Sequence, residues 1–295
     1  MHRKTAVIGS ESFLARYVVA KLQSSHSVCG YSRSNHSGIP VHVPFDYPSV
    51  KLDFPALLDF DNIVYCAGSG IQANKSDDFV FELNTYLPIE LANFLKKNGF
   101  QGKLVTFGSY AEIGNNSEEK HFTEQEIVAS LLSSPNDYGI SKRLLTRFFQ
   151  SARLDFGFYH LILPTIYGPG ENPKRLLPYL VHSIARGETP VLTSGNQTRQ
   201  YVHVRDVADL ISLFLDSDAP SGIYNVPCVE TMLVKDIVSL VYETMNATRP
   251  REEERLKRYD ESMKFLALDP TKTRNIFPEW RPRIAINESL QEYNA

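Results

Sequence analysis

Short apolar runs alternate with longer amphipathic stretches through the first half of the chain. The run Thr5 to Ile8 stops at Gly9, and a helical pattern then places Phe13, Leu14, Val18, Val19 and Leu22 on one face. Further apolar runs lie at Ser27 to Tyr31, more weakly at Val41 to Val43, and at Asn62 to Cys66, Lys103 to Phe107 and Phe158 to Leu163. Helical periodicity occupies roughly 78–97 and 136–152. Runs of this length, separated by helix-length segments, read as buried parallel strands joined by crossover helices. The pattern predicts an α/β protein built on a doubly wound parallel sheet. In such a sheet ligands sit at the carboxyl ends of the strands.

The texture changes after Leu163, where Pro164, Gly168, Pro169, Gly170 and Pro173 crowd together. Two helices and short extended pieces follow, among them Tyr201 to Val204 and Gly222 to Val226. The expected division is a dinucleotide-binding domain over 1–165, completed by roughly 200–227, and a smaller C-terminal substrate-binding lobe over 166–199 and 228–295. The charged run Arg251 to Arg258 reads as a solvated face.

Composition narrows the class. The chain has 295 residues, 42% of them hydrophobic, enough to bury a sizeable core. A net charge of −3, from 31 basic and 34 acidic residues, argues against a nucleic-acid binder. Cys29, Cys66 and Cys228 lack metal-ligand spacing, so no metal is expected, and free thiols point to a reducing compartment. The apolar run after the basic start is too short for a signal peptide, and nothing approaches a membrane span. A cytoplasmic protein that does not engage membranes is expected.

The turn after the first run carries the first candidate chemistry. A dinucleotide site needs a tight turn, a close backbone approach and a helix N-terminus facing the pyrophosphate. Gly9 is present, but Ser12 and Ala15 stand at the second and third glycine positions. The Ser12 hydroxyl is small enough for the turn and is placed to bind a phosphate oxygen, while Glu11 is expected to point to solvent. A turn with one glycine serves equally well as scaffold. The second run ends Cys29-Gly30-Tyr31-Ser32-Arg33, without the acid that would hold an NAD ribose. Arg33 suits a 2′-phosphate instead, with a hydrogen bond from Ser32. A surface arginine in a loop would look the same. Asp46 is a candidate for the adenine or an ordinary turn residue.

The strongest signal is Tyr138-Gly139-Ile140-Ser141-Lys142. Tyr and Lys four apart share a helix face, and a nearby ammonium lowers a phenol's pKa, making Tyr138 a usable acid or base. The preceding strand ends Thr106-Phe107-Gly108-Ser109, which puts a hydroxyl at its carboxyl end. With Gly9, these residues resemble an extended short-chain dehydrogenase/reductase, of the nucleotide-sugar epimerase, dehydratase and reductase group. The likeness continues through Gly114, Ile166-Tyr167-Gly168-Pro169-Gly170, Arg199-Gln200-Tyr201-Val202-His203-Val204-Arg205-Asp206, Tyr224-Asn225-Val226 and Trp280-Arg281-Pro282.

The resemblance implies a Rossmann-like fold, a nicotinamide cofactor, a nucleotide-sugar substrate, a homodimer and a place in deoxysugar or polysaccharide biosynthesis. It implies catalysis by Ser109, Tyr138 and Lys142. Cofactor contacts are implied at Gly9, Ser12, Phe13, Leu14, Ser32, Arg33, Asp46 and Ala67, together with Tyr138 and Lys142. Substrate contacts are implied at Ser109, at Arg199 on the diphosphate, and at Thr165, which replaces the family's usual asparagine. Asn84 matches a structural asparagine.

Departures from the family pattern narrow the reaction. Tyr110 and Ala111 occupy the positions of the Asp-Glu pair of dehydratases. Glu112, one place later, is expected to face elsewhere if strand alternation continues. Ala111 and Arg175 replace the cysteine and histidine of enzymes that epimerise by enolisation, and His182 reads as a helix-surface or packing residue. The favoured expectation is NADPH-dependent reduction of a 4-keto-6-deoxy sugar nucleotide, with Tyr138 as proton donor. An NAD-dependent 4-epimerase is the alternative, and a non-catalytic NADP-binding sensor or scaffold is the second.

Overall fold

The computed structural model describes residues 2–71, 76–249 and 262–294, so the charged run from Arg251 lies outside the described residues. The elements run β1 (Arg3–Ile8), α1 (Phe13–Leu22), β2 (His26–Ser32), β3 (Val41–Pro44), β4 (Asn62–Tyr65), α2 (Asp77–Phe81), α3 (Leu87–Lys97) and β5 (Lys103–Ser109). Next come α4 (Glu124–Ala129), α5 (Asp137–Ser151), β6 (Gly157–Leu163), β7 (Thr165–Tyr167), α6 (Leu176–Ala185), β8 (Thr198–His203) and α7 (Val204–Asp216). The chain closes with β9 (Gly222–Asn225), β10 (Glu230–Leu233), α8 (Val234–Thr244), α9 (Thr271–Ile276) and α10 (Ile286–Ser289).

The chain divides into two compact units. The first comprises Met1–Glu112, Asn136–Leu163 and Ala208–Tyr224. It carries a seven-stranded sheet in the order β3-β2-β1-β4-β5-β6-β9, Rossmann-like as expected. β1 pairs in parallel with β2 and β4, β2 with β3, β4 with β5, and β5 with β6. Ala6, Val7, Ile8, Ile63, Val64 and Val105 are fully buried, as strands covered on both faces must be. Strand order reverses beside β1, which leaves a crevice at the carboxyl ends of β1 and β4.

The helical stretch expected over 78–97 is interrupted. Between α2 and α3, Glu82–Tyr86 form a π-helical turn, and the Leu87 N–H donates to the Glu82 C=O, five residues back. Pro88 sits at the start of α3 and has no N–H to continue the ordinary ladder. The widened turn faces inward with Leu83, Asn84 and Thr85 buried. Asn84 Oδ1 accepts from Ser69 N–H (2.8 Å), and its amide donates to the Ser69 C=O and the Ser141 hydroxyl. Asn84 thus ties α5 to the loop after β4.

The second unit comprises Ile113–Pro135, Pro164–Val207 and Asn225–Ala295. It therefore takes 113–135, 164–165, 200–207 and 225–227, which the linear division gave to the first. The chain's hydrogen bonds explain this. Asn116 donates to the Phe265 C=O, Asn225 donates to Phe122 and Asp269 carbonyls, and Phe122 forms a parallel bridge to Leu268. A three-stranded sheet orders β10-β8-β7, with β10 antiparallel and β7 parallel to β8. Its core gathers Tyr167, Leu177, Leu180, Val181, Ile237 and Val241. Asp206 accepts from the N–H groups of Arg283 and Ile284, fixing the segment that follows Trp280-Arg281-Pro282.

Candidate active site

β5 ends at Ser109 and the chain turns at once into a short 3-10 segment, Tyr110–Ile113. The period changes from two to three, so Glu112 returns beneath Ser109 instead of facing away. That corrects the expectation from strand alternation. Glu112 is fully buried. Its Oε1 accepts from Ser109 N–H at 2.7 Å, and Ser109 Oγ accepts from Ala111 N–H at 3.2 Å. Ser-x-x-Glu is the capping-box spacing, in which the acid reaches back to the first residue's N–H. That signal was present in the sequence, and it places the Glu112 carboxylate on the Ser109 N–H.

α5 starts cleanly because the Asn136 side chain accepts from Gly139 N–H at 2.9 Å. Tyr138 occupies its first turn and Lys142 the next. The Lys142 Nζ donates to the Phe107 C=O at 2.9 Å and lies 6.0 Å from the centroid of the Tyr138 ring. Tyr138 and Lys142 are therefore neighbours as the four-residue spacing requires, and Lys142 is bonded to the strand that ends at Ser109. Burial pulls the Lys142 ammonium down to about 8, opposed chiefly by the charge of Glu112. Burial pushes the Glu112 carboxyl up to about 7, opposed by the nearby Thr146 hydroxyl, by the Ser109 N–H and by the charges of Lys142 and Arg143. Burial, with Lys142 nearby, drives His160 down to about 3, so this ring is neutral. Its Nδ1 pairs with Thr106 Oγ1 and its Nε2 with Thr146 Oγ1, both at 2.8 Å.

The nucleotide end is built on the crevice beside β1. Gly9 has a positive φ of 77°, and its N–H donates to the Tyr31 C=O at 2.7 Å. A Cβ at Gly9 would stand 2.6 Å from the Ala67 nitrogen, so the turn after β1 closes on the end of β4 only with glycine. Ser12 is the N-cap of α1 and its hydroxyl donates to the Cys66 C=O at 3.3 Å. Phe13 opens α1 and Leu14 is buried, so these two offer a ligand their first-turn N–H groups. A dinucleotide pyrophosphate fits this cradle of glycine turn and helix N-terminus.

At the end of β2 the expectations divide. Arg33 is 77% exposed, and its Nε lies 3.8 Å from a carboxylate oxygen of Asp46. Ser32 is buried instead. Its hydroxyl accepts from Ser10 Oγ, donates to the Ser34 C=O at 2.6 Å and lies 3.0 Å from His42 Nε2. Its side chain forms a clasp within the turn. Glu11 lies at the surface, as expected, and is held there by a neighbouring loop residue. Its carboxylate accepts from the Ser37 N–H and hydroxyl, at 2.9 and 3.0 Å, because Ser37 offers two donors together.

In the second unit, Thr165 opens β7 in register with Tyr201 of β8. Arg199 is buried in β8, and its Nη1 donates to the Thr198 and Met263 carbonyls at 2.8 and 2.7 Å. It braces its own unit, a role the motif alone did not contain. Arg175 pairs with Glu171 at 3.2 Å. Among the described residues no cluster of His, Cys, Asp or Glu has a metal-binding arrangement, and no helix is long and apolar enough to cross a membrane.

A strand-end serine, a Tyr-x-x-x-Lys helix and a glycine turn on a parallel sheet define a short-chain dehydrogenase/reductase of the extended kind. The chain belongs to the NAD dependent epimerase/dehydratase family, whose model matches residues 5–226. It is 23% identical over 201 residues to an ADP-L-glycero-D-manno-heptose-6-epimerase of Nitratidesulfovibrio vulgaris, covering 64% of this chain and 61% of that one. The chain thus spans about three fifths of that relative's length. It is 24% identical over 238 residues to a probable GDP-L-fucose synthase of Oryza sativa subsp. japonica, covering 76% and 71% of the two chains. Among solved structures, MoeE5 in complex with UDP-glucuronic acid and NAD has TM-score 0.81 at 19% identity, covering 99% of this chain and 98% of that one. The UDP-glucose 4-epimerase of Thermotoga maritima with UDP-glucose has TM-score 0.82 at 17% identity, with the same coverage. At these identities the structural matches establish the fold.

Proposed function

We propose that this protein carries out hydride exchange at a ring carbon of a nucleotide-linked sugar, and that its reaction is the NADPH-dependent reduction of a 4-keto-6-deoxy sugar nucleotide. The carrying observation is the set Ser109, Tyr138 and Lys142 at the junction of β5 and α5, beside Tyr110 and Ala111 where a dehydratase needs two acids. The glycine turn at Gly9 and the first-turn N–H groups of α1 hold the pyrophosphate, and Arg33 holds a 2′-phosphate with its planar fork. When bound, the nicotinamide supplies the hydride. Ser109 Oγ hydrogen-bonds the sugar oxygen and Tyr138 delivers the proton to it. The Lys142 ammonium, fixed on the Phe107 carbonyl, favours the phenolate that remains. Thr165 is the proposed contact to the sugar, and Arg199, whose Nη1 is engaged in bracing its own unit, is the proposed contact to the diphosphate through its other guanidinium N–H groups. Retention of all three catalytic groups speaks against a sensor that only binds NADP.

The same three residues serve a 4-epimerase that oxidises and re-reduces one carbon with NAD. Glu11 favours this second reading, because its carboxylate is held on Ser37, in the segment following Arg33 where a 2′-phosphate would need positive charge. Isotope transfer separates the two. With NADPH deuterated at the transferred position and 4-keto-6-deoxy sugar nucleotides as substrates, the reductase consumes NADPH stoichiometrically and puts deuterium on carbon 4. Interconversion of two nucleotide sugars without added cofactor, and without label in the product, means the epimerase.

A further inference from the structure

The tripeptide that ends β5 is held from two sides. Lys142 Nζ takes the carbonyl of Phe107, and Glu112 Oε1 takes the N–H of Ser109. Gly108 lies between them, and a Cβ there would stand 2.6 Å from Glu112 Oε1 and 2.8 Å from His160 Nε2. The carboxylate therefore occupies the space that a side chain at 108 would fill. Its other oxygen, Oε2, is buried without a hydrogen-bond partner. A buried carboxylate with an oxygen left without a close donor costs stability. The Glu112 main-chain carbonyl is itself clamped by Arg143, through Nε at 2.9 Å and Nη2 at 2.5 Å.

We propose that Glu112 is a positioning residue of the active site, whose buried carboxylate both fixes the Ser109 turn and acts as the counter-charge that keeps Lys142 an ammonium. The groups facing this pair come from every surrounding element. Tyr138 and Cys66 lie near Lys142, at the start of α5 and just after β4, while Arg143 and Thr146 of α5 and His160 of β6 lie near Glu112. His160 is held neutral between Thr106 and Thr146, and burial keeps the Cys66 thiol protonated. Glu112 is thus the acidic side chain of this set and Lys142 its ammonium, the two anchored two residues apart on the Phe107–Ser109 tripeptide. Two opposite charges brought together in a buried site each favour the other's charged form. Lys142 in turn sets the proton affinity of Tyr138, so Glu112 acts on the proton step through Lys142 without touching substrate.

The inference rests on the proposed roles of Tyr138 and Lys142, and its test separates the two. Glu112→Gln keeps the shape and the acceptor for Ser109 N–H but removes the charge. In full-length protein labelled with 13C at lysine Cε, the Lys142 resonance, assigned by its loss in Lys142→Met, should titrate about one pH unit lower in Glu112→Gln. The alkaline limb of kcat with NADPH and a 4-keto-6-deoxy sugar nucleotide should move down by the same amount. A folded Glu112→Gln protein with an unmoved Lys142 titration overturns the inference. If Glu112→Gln does not fold, the Glu112 carboxyl signal is followed in wild type and in Lys142→Met. Loss of the ammonium should raise its midpoint, and an unchanged midpoint overturns the inference equally. Wild-type protein that turns over no nucleotide sugar counts against the functional reading alone, since both titrations still decide the role of Glu112.

Discussion

At the scale of single residues, catalysis in the proposed reaction depends on one proton and one phosphate. Tyr138→Phe keeps the ring on α5 and deletes the proton. Turnover should fall by about a hundredfold or more, the scale of a positioned acid, while fluorescence titration shows cofactor binding retained. Near-normal turnover would remove Tyr138 from the proton step. Arg33 is the residue that distinguishes the cofactors. It is exposed, and its contact with Asp46 at 3.8 Å is too long to be a strong ion pair. Arg33→Ala should therefore weaken NADPH binding and leave NADH binding largely unchanged, as measured by parallel titrations of the two. Equal losses would assign Arg33 to the loop surface and strengthen the NAD reading that Glu11 favours.

At the scale of elements, the site exists because β5 and α5 are locked together by groups that leave no free volume. Gly108 is the point where this shows. A methyl group there would meet Ile162 Cδ1 at 2.5 Å and the buried Glu112 and His160 side chains. The isoleucine tip can move, but the carboxylate and imidazole are held by their hydrogen bonds. Gly108→Ala should cost about 1–3 kcal/mol in denaturant unfolding, the range for overpacking a filled core. It should lower turnover as well, because the displaced Glu112 releases Ser109. A variant as stable and active as wild type would show that this junction tolerates expansion. The π-helical turn before α3 belongs to the same scale. Asn84 reaches from it to both Ser69 and Ser141, so the helix that carries Lys142 is tied to the loop after β4.

At the scale of the whole molecule, the buried ionisable groups give stability a pH dependence. Glu112 titrates at about 7 in the folded protein against an ordinary 4.5, so between these values the folded state binds a proton the unfolded chain has released. Its contribution is fully present below about 4.5 and is lost as pH rises through about 7. Lys142, at about 8 against 10.5, acts oppositely, and its contribution is present above about 10.5 and lost as pH falls through about 8. His160, at about 3 against 6.5, behaves as Lys142 does in its own range. Glu112→Gln removes the first of these, and the lowered Lys142 titration changes the second in the same direction between pH 5 and 7. Whatever its melting temperature relative to wild type near pH 5, that difference should move in the variant's favour by pH 7. A difference independent of pH would mean that Glu112 is ionised throughout this range.

The strands from β1 to β6, the helices α1 and α5, the glycine turn at Gly9 and the pairing of Tyr138 with Lys142 were legible along the chain, because each depends on local period and spacing. Hydrophobic runs specify strands wherever the chain is buried on both faces, and a four-residue interval specifies a shared helix face in any context. Even the turn that buries Glu112 left its mark as Ser-x-x-Glu, though strand alternation pointed the other way. What the tertiary structure decided depends on partners distant in sequence. Ser32 became a clasp because Ser10 and His42 converge on it, and Glu11 became a loop anchor because Ser37 offers it two donors. Arg199 became a brace because the Met263 carbonyl lies within its reach, and 113–135 joined the second unit through Phe265 and Asn225. Glu112 and Lys142, thirty places apart, share a buried site only because α5 packs on β5, and burial rather than spacing moves both of their proton affinities toward neutrality.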